Sequence, residues 1–206
     1  MPMKPDEREY RAMPMLAHPA DGSEKKFDSE CYVEGYATTY DQPYEMGEYD
    51  GVKYFERIDS HALDGADLSD VIMQYDHSGR VLARLKNHTL FVDSADTHGI
   101  FVAADLSKSD AARGIYNDIS EGLIEGMSWA FTVQEDSYDT LTHMRTITKI
   151  RKVYDVSAVS IPANPATNIN ARSWCERRAA ADRQEQADNL AKREKARAEC
   201  IALLSL

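Results

Sequence analysis

A serine in a strand-like segment is the first residue whose type and setting suit nucleophilic chemistry. Ser128 lies in the segment Gly126-Met-Ser-Trp-Ala-Phe-Thr-Val133. Alternate side chains of a strand point to opposite faces, so the bulky residues of this segment predict a core face and place Ser128 on the other face, among small neighbours. That face would leave room for a substrate. The sequence lacks a Gly-x-Ser-x-Gly elbow, which excludes an α/β-hydrolase, and a surface serine without chemistry is the alternative.

A histidine at a predicted turn is the second candidate. His77 ends a strand-like run and is followed by Ser78-Gly79, which suits a base that must be rigid yet accessible. An ordinary half-buried histidine is the alternative. Four of the five other histidines are spread along the chain with neither HxxxH nor HxH spacing, and three cysteines form no CxxC pair, so the sequence predicts no metal site and no cofactor. These residues are His61, His88, His98, His143, Cys31, Cys175 and Cys200.

An acidic residue in an apolar run is the third candidate. Asp155 lies in Val153-Tyr-Asp-Val-Ser-Ala-Val-Ser-Ile161, which is typical of a central strand. A carboxylate there is costly unless it is paired or hydrogen-bonded. An imidazole N–H is one suitable partner. A guanidinium of Arg151 or Arg84, in a structural ion pair, is the other suitable partner. The sequence pattern does not distinguish between these two kinds of partner.

The elements that must position these residues are mostly short strands. Runs rich in aromatic and β-branched residues predict about nine of them, separated by polar turns. One amphipathic helix is predicted after Ser109 as N-cap, with Gly122 or Gly126 at its end. The predicted strands are 31–40, 52–58, 71–77, 81–85, 88–93, 98–104, 127–134, 141–150 and 153–161. Since strands and helices do not alternate, we expect a mainly β (α+β) fold, a closed or half-closed antiparallel β-barrel with one or two packed helices.

Composition divides the chain and excludes several classes of protein. The 206 residues carry 24 basic against 35 acidic side chains, and this net charge of −11 argues against nucleic-acid binding. No apolar stretch is long enough to span a membrane. The sequence predicts an irregular arm over residues 1–26 and a compact β-barrel domain over residues 27–172. It predicts a polar helical tail, dispensable for folding, over residues 173–206. A solvated helix and a pairing or targeting helix are the two interpretations of that tail.

Four segments, in order, carry a resemblance to a known family. They are Val33-Glu-Gly-Tyr-Ala37, Tyr75-Asp-His-Ser78, Gly122-Leu-Ile-Glu-Gly-Met-Ser-Trp-Ala-Phe131 and Asp155-Val-Ser-Ala-Val-Ser-Ile-Pro-Ala-Asn-Pro165. Over about residues 30–170 the chain resembles the prohead maturation proteases of tailed bacteriophages, whose fold is related to the herpesvirus assemblins. The chain departs from the family pattern with Asp155 in place of Glu, Asp76 in place of Asn, and Ala83 and Ala130 at positions that are often Gly.

The resemblance implies a serine endopeptidase with His77 as base, Ser128 as nucleophile and Asp155 as the orienting acid. Its substrates would be capsid or scaffold proteins and the chain itself, and a homo-oligomer is compatible with the family. The place of action would be the procapsid in the host cytoplasm. A catalytically inactive assembly module on the same fold is the alternative, in which the three residues would not converge in space.

Overall fold

Strands dominate the structure. The computed structural model describes residues 8–13, 25–160 and 169–204. Strands take up 46% of it and helices 25%, which confirms the mainly β prediction. The strands are β1 Glu9–Met13, β2 Tyr32–Thr39, β3 Tyr44–Tyr49, β4 Val52–Ile58, β5 Ile72–Tyr75, β6 Ser78–Arg84, β7 Leu90–Asp93, β8 Gly99–Asp105, β9 Gly126–Asp139 and β10 Met144–Val159. The helices are α1 Asp110–Ser120, α2 Ile169–Leu204 and the 3₁₀ turn Leu85–Asn87.

The strands form two sheets around one core. The larger sheet has the order β1-β9-β10-β4-β3, and β5 and β6 join it through β10. The smaller sheet has the order β2-β8-β7. Buried side chains of both sheets meet in a single apolar cluster, which includes Val33 and Val102 from the small sheet and Trp129 and Val156 from the large one. Helix α1 begins at the predicted N-cap: Ser109 Oγ accepts from Ala112 N at 3.2 Å.

Strand β10 holds the large sheet together by changing partners along its length. It pairs antiparallel with β9 from Met144 to Val159. On its other edge it pairs parallel with β4 at its beginning and parallel with β5 near its end. Several register shifts lie between Ile147 and Asp155, and such bulges bend a strand and increase its twist. The sequence suggested two separate strands here, because Arg151 and Lys152 interrupt the apolar pattern.

The predicted barrel is not confirmed. Of eight strand pairings in the described part of the chain, six are antiparallel and two are parallel. The antiparallel expectation therefore holds for most pairs. The two sheets are not closed into a barrel by hydrogen bonds between them. Both parallel pairs involve β10, and sequence patterns at the level of single strands do not reveal which strands become its neighbours.

Strand β1 lies within the segment that the sequence predicted to be irregular. Residues Glu9–Met13 pair antiparallel with β9, with Ala12 opposite Ser128. The prediction was wrong for these five residues because their alternation puts charged side chains, Glu9 and Arg11, on the buried side. Both are fully buried. The usual rule, which places apolar residues inside and charges outside, therefore fails here.

Opposite charges from other strands compensate the buried charges of β1. Arg11 contacts Glu56 of β4 with Nε–Oε1 at 2.5 Å and Nη2–Oε2 at 2.9 Å, and its Nη2 also bonds Glu9. Arg145 of β10 binds both carboxylates, with Nη1 at 2.9 Å from Glu9 Oε2 and 2.8 Å from Glu56 Oε2. Tyr44 OH donates to Glu56. Buried charges are tolerated only when they are paired and hydrogen-bonded in this way.

The beginning of α2 packs on the large sheet, whereas the side chains of residues 183–200 are exposed. Trp174, Cys175 and Ala179 join Met46 and Tyr54 in a second apolar cluster. Asp182 is also buried and accepts from Tyr138 OH at 3.0 Å. From residue 183 to 200 every side chain is exposed. The expectation of a tail that contributes nothing to folding is thus wrong for its first turns. None of the described helices is long and apolar enough to span a membrane.

The buried charge cluster predicts a loss of stability in acid. Burial alone raises the pKa of Glu9, but the Arg11 and Arg145 guanidiniums outweigh it and lower this pKa from 4.5 to about 2. A carboxylate with a depressed pKa contributes stability above its unfolded pKa, and this contribution disappears as the pH falls through 4.5 toward 2. The free energy of unfolding, measured with denaturant across this pH range, should therefore fall more steeply with decreasing pH for the wild type than for Glu9→Gln. Equal slopes would contradict the cluster.

The two parts of α2 should respond differently to truncation. A chain that ends at Asp188 should melt close to the full chain, since the side chains described beyond it, those of residues 189–200, are all exposed. A chain that ends at Arg172 loses the buried Trp174 and Ala179, and removal of a buried Trp side chain costs about 3–5 kcal/mol. For a chain of this size the melting temperature should fall by on the order of 10 °C. Trp174→Ala is the matched point variant, and equal melting of the two truncations would contradict this packing.

Candidate active site

Ser128 lies near the beginning of β9, where both faces of the strand are covered. Its exposed fraction is 3%, and the bulky Trp129 and Phe131 on the opposite face are fully buried. The sequence predicted the core face correctly. It was wrong that the Ser128 face is open: His77 Nε2 from the β5–β6 turn lies 2.6 Å from Ser128 Oγ, and the Arg11 carbonyl oxygen of the neighbouring strand β1 lies 2.9 Å from it.

His77 belongs to a two-residue turn between β5 and β6. Asp76 and His77 have φ of +47° and +55°, and both central residues of a type I′ hairpin need positive φ. Asp and His tolerate this region better than most non-glycine residues. The turn is also tied to β10: Asp76 N donates to Ala158 O at 3.0 Å, and Ser160 N donates to Asp76 Oδ1 at 3.3 Å. The position of the imidazole is therefore set by backbone contacts.

Asp155 lies on β10 between the strands that carry the other two residues. The parallel pairing places it opposite Ile72 of β5, five residues before His77. The antiparallel pairing places it opposite Ala130 of β9, two residues after Ser128. Since residues two apart on a strand share a face, Asp155 and Ser128 point to the same side of the sheet. The turn after β5 brings the His77 ring to both of them.

The three sequence-predicted residues form one chain of hydrogen bonds. His77 Nδ1 lies 2.5 Å from Asp155 Oδ1, and His77 Nε2 lies 2.6 Å from Ser128 Oγ. The Asp155 side chain is 6% exposed and the His77 side chain 18%. A serine, an imidazole that can accept its proton and a carboxylate that holds the other ring nitrogen are the parts of a nucleophilic triad.

The ion-pair alternative for Asp155 does not involve Arg84. Arg84 Nε lies 2.8 Å from Asp70 Oδ1, and its guanidinium makes a second bond to the same carboxylate. Arg151 is exposed, whereas Asp155 is 4% exposed. The Asp155 carboxylate instead accepts hydrogen bonds from His77 and from Ser157, whose Oγ lies 2.8 Å from Oδ1.

Three residues of the site were missed by sequence reasoning. Ser157 could have been predicted, because it follows Asp155 by two positions and therefore lies on the same face of the strand. Tyr10 and Arg11 had none, since their segment was interpreted as irregular. The Tyr10 ring contacts His77 edge-on at 4.9 Å between centroids. The Ser128 hydroxyl lies within donating distance, 2.9 Å, of the Arg11 carbonyl oxygen.

Within the described part of the chain, no group of three or more His, Cys, Asp or Glu residues is placed to hold a metal ion. The family model of the caudovirus prohead serine protease matches residues 20–181. The chain belongs to this family. It is a serine protease of the group that acts in bacteriophage capsid maturation. Searches of curated proteins and of solved structures found no match.

The matched range covers most of the described chain. It contains Ser128, His77 and Asp155 together with the strands that carry them. Strand β1 precedes this range, and the exposed part of α2 follows it. Prohead proteases act inside the viral procapsid in the host, and their substrates in general are capsid and scaffold proteins.

Proposed function

We propose that the chain is an endopeptidase in which Ser128 is the nucleophile, His77 the general base and Asp155 the residue that orients the base. The observation that supports these roles best is the continuous hydrogen-bond chain, 2.6 Å from Ser128 to His77 and 2.5 Å from His77 to Asp155. A serine hydroxyl is a weak nucleophile on its own, so it needs a base at hydrogen-bond distance.

The proposed reaction divides peptide hydrolysis between these groups. Ser128 Oγ attacks the substrate carbonyl carbon while His77 Nε2 takes the hydroxyl proton. The carboxylate of Asp155 accepts from Nδ1, which keeps Nε2 free to receive that proton and stabilises the imidazolium that forms. Ser157 donates to the same carboxylate oxygen and thereby holds it in place.

The biological substrates that we propose are segments of scaffold and capsid proteins, cut inside the procapsid in the host cytoplasm, and the protease chain itself. The acidic net charge of −11 supports a protein that does not bind DNA directly. We also propose that residues 27–172 form the protease domain and that the exposed part of α2 contacts the scaffold or directs the chain into the procapsid. A homo-oligomer is compatible with this scheme.

Ser128→Ala should abolish processing when the chain is assembled with its capsid and scaffold proteins. The matched control is Ser137→Ala, an exposed serine on the same strand, which should process normally. The loss of one buried hydrogen bond costs about 1 kcal/mol, so Ser128→Ala should still fold. Gel electrophoresis and mass spectrometry of the capsid proteins report processing. Normal processing by Ser128→Ala would contradict the enzyme and favour an inactive assembly module.

Asp155→Asn and Asp155→Glu should separate an orienting role from a structural one. The Asn amide donates to His77 Nδ1 and so favours the tautomer that cannot accept the Ser128 proton. Turnover should fall by about 10²–10⁴. Asp155→Glu keeps the carboxylate and should be milder. Melting temperatures are measured beside turnover, and an Asn variant whose folded fraction turns over normally would leave a Ser–His pair without Asp155.

A further inference from the structure

Strand β1 covers the nucleophile with its own backbone. It runs antiparallel to β9, and the Arg11 carbonyl oxygen lies 2.9 Å from Ser128 Oγ. Tyr10 lies against His77, and Ser128 is 3% exposed. The serine hydroxyl has a single proton, so it donates either to the Arg11 carbonyl or to His77. The Arg11 carbonyl thus lies beside the hydroxyl, where the carbonyl of a substrate would have to come.

The position of β1 is the one that an extended substrate would take. Peptides commonly bind by adding a strand to a sheet, with main-chain hydrogen bonds for affinity and pockets for alternate side chains. β1 has this form: it is five residues long, it lies at the end of the sheet order, and it precedes the part of the chain that matches the protease family.

The two alternate side chains of β1 enter a pocket of defined chemistry. Arg11 makes a two-point contact with Glu56, and Glu9 makes a two-point contact with Arg145, whose Nη1 and Nη2 lie 2.9 and 3.0 Å from the two carboxylate oxygens. All four side chains are buried. A guanidinium that binds a carboxylate through two parallel bonds selects for geometry as well as charge.

Arg145 keeps carboxylate partners in the pocket without β1, because its Nε also lies 2.5 Å from Asp136 Oδ2 of β9. Arg145 Nη1 lies 2.8 Å from Glu56 Oε2, so these two residues remain an ion pair when Glu9 and Arg11 leave. A peptide with the same order, glutamate then arginine two residues later, restores both two-point contacts. A peptide with a charge of the opposite sign at either position buries uncompensated charge, which is costly.

We propose that the edge of β9 beside Ser128 is the substrate-strand site and that β1 occupies it as a self-peptide. The site selects arginine at the residue whose carbonyl faces Ser128 and glutamate two residues before it. This inference rests on the proposed role of Ser128 as nucleophile.

The reaction at this site cuts the bond after the selected arginine. Ser128 Oγ forms an ester with the arginine carbonyl carbon, its proton passes to His77, and the C–N bond breaks as His77 returns that proton to the leaving amine. Water then attacks the ester, its proton passes through His77 to Ser128, and the products are an arginine carboxylate and a new amino terminus. On β1 the corresponding bond is Arg11–Ala12.

The test is cleavage of synthetic peptides with the sequence of residues 6–16 by the full chain, followed by chromatography and mass spectrometry. Peptides carrying Arg11→Glu or Glu9→Lys should be cut at least about 10-fold more slowly than the native peptide, because each buries an unmatched charge. Arg8→Glu is the matched control, a charge reversal at an exposed position whose guanidinium lies 3.9 Å from the Tyr154 ring centre. Loss of this exposed contact should slow cleavage much less than a buried unmatched charge does. The competing β1 of the enzyme slows all peptides alike, so the ratios are preserved.

The outcomes separate this inference from the proposed function. Cleavage after the arginine with the expected ratios supports it. Processing of capsid proteins without cleavage of the native peptide, or with equal cleavage of all four peptides, overturns the substrate-strand assignment and leaves the protease intact. A chain that cuts neither the peptides nor the capsid proteins contradicts the proposed function, and with it this inference.

Discussion

Hydrogen bonding of β10 on both of its edges is the constraint on which the site depends. One edge binds β9, which carries Ser128, and the other binds β5, which leads into the turn that carries His77. Asp155 is therefore placed between two residues that lie 27 and 78 positions before it in the chain. Because strands in a sheet have fixed spacing and alternating faces, correct pairing brings Asp155 and Ser128 to one side of the sheet, and the turn after β5 adds His77. No flexible loop contributes any of them except the two-residue hairpin, and that hairpin is itself tied to β10.

The parts of the fold that were predictable are those governed by local pattern. Strand β4 was predicted with its observed bounds, and α1 begins at the expected Ser109, because side-chain alternation and capping are short-range effects. The grouping of Ser128, His77 and Asp155 followed from the family resemblance, since spacing along the chain does not report spatial distance. β1 was missed because its buried residues are charged, and their partners lie on other strands. Which strands supply the opposite charges depends on the tertiary fold, and a short stretch of sequence does not show it.

The buried cluster of Glu9, Arg11, Glu56 and Arg145 also explains how an acidic chain keeps charges in its interior. Glu9 and Glu56 each face both guanidiniums, and Arg145 also binds Asp136. Such arrangements contribute less to net stability than apolar packing of the same volume, but they penalise any wrong partner heavily. The cluster therefore contributes more to the choice of the strand that pairs with β9 than to the net stability of the sheet.

Trp174 connects this cluster to the far end of the chain. Its ring lies 5.0 Å from the Arg145 guanidinium, on the first turns of α2, and Arg145 in turn binds Glu9 on β1. The first turns of α2 and the strand beside Ser128 therefore share one neighbour, the Arg145 side chain. The same arginine ends up with an indole on one side and the carboxylate of β1 on another, so the first strand and the last helix of the described chain meet at a single guanidinium.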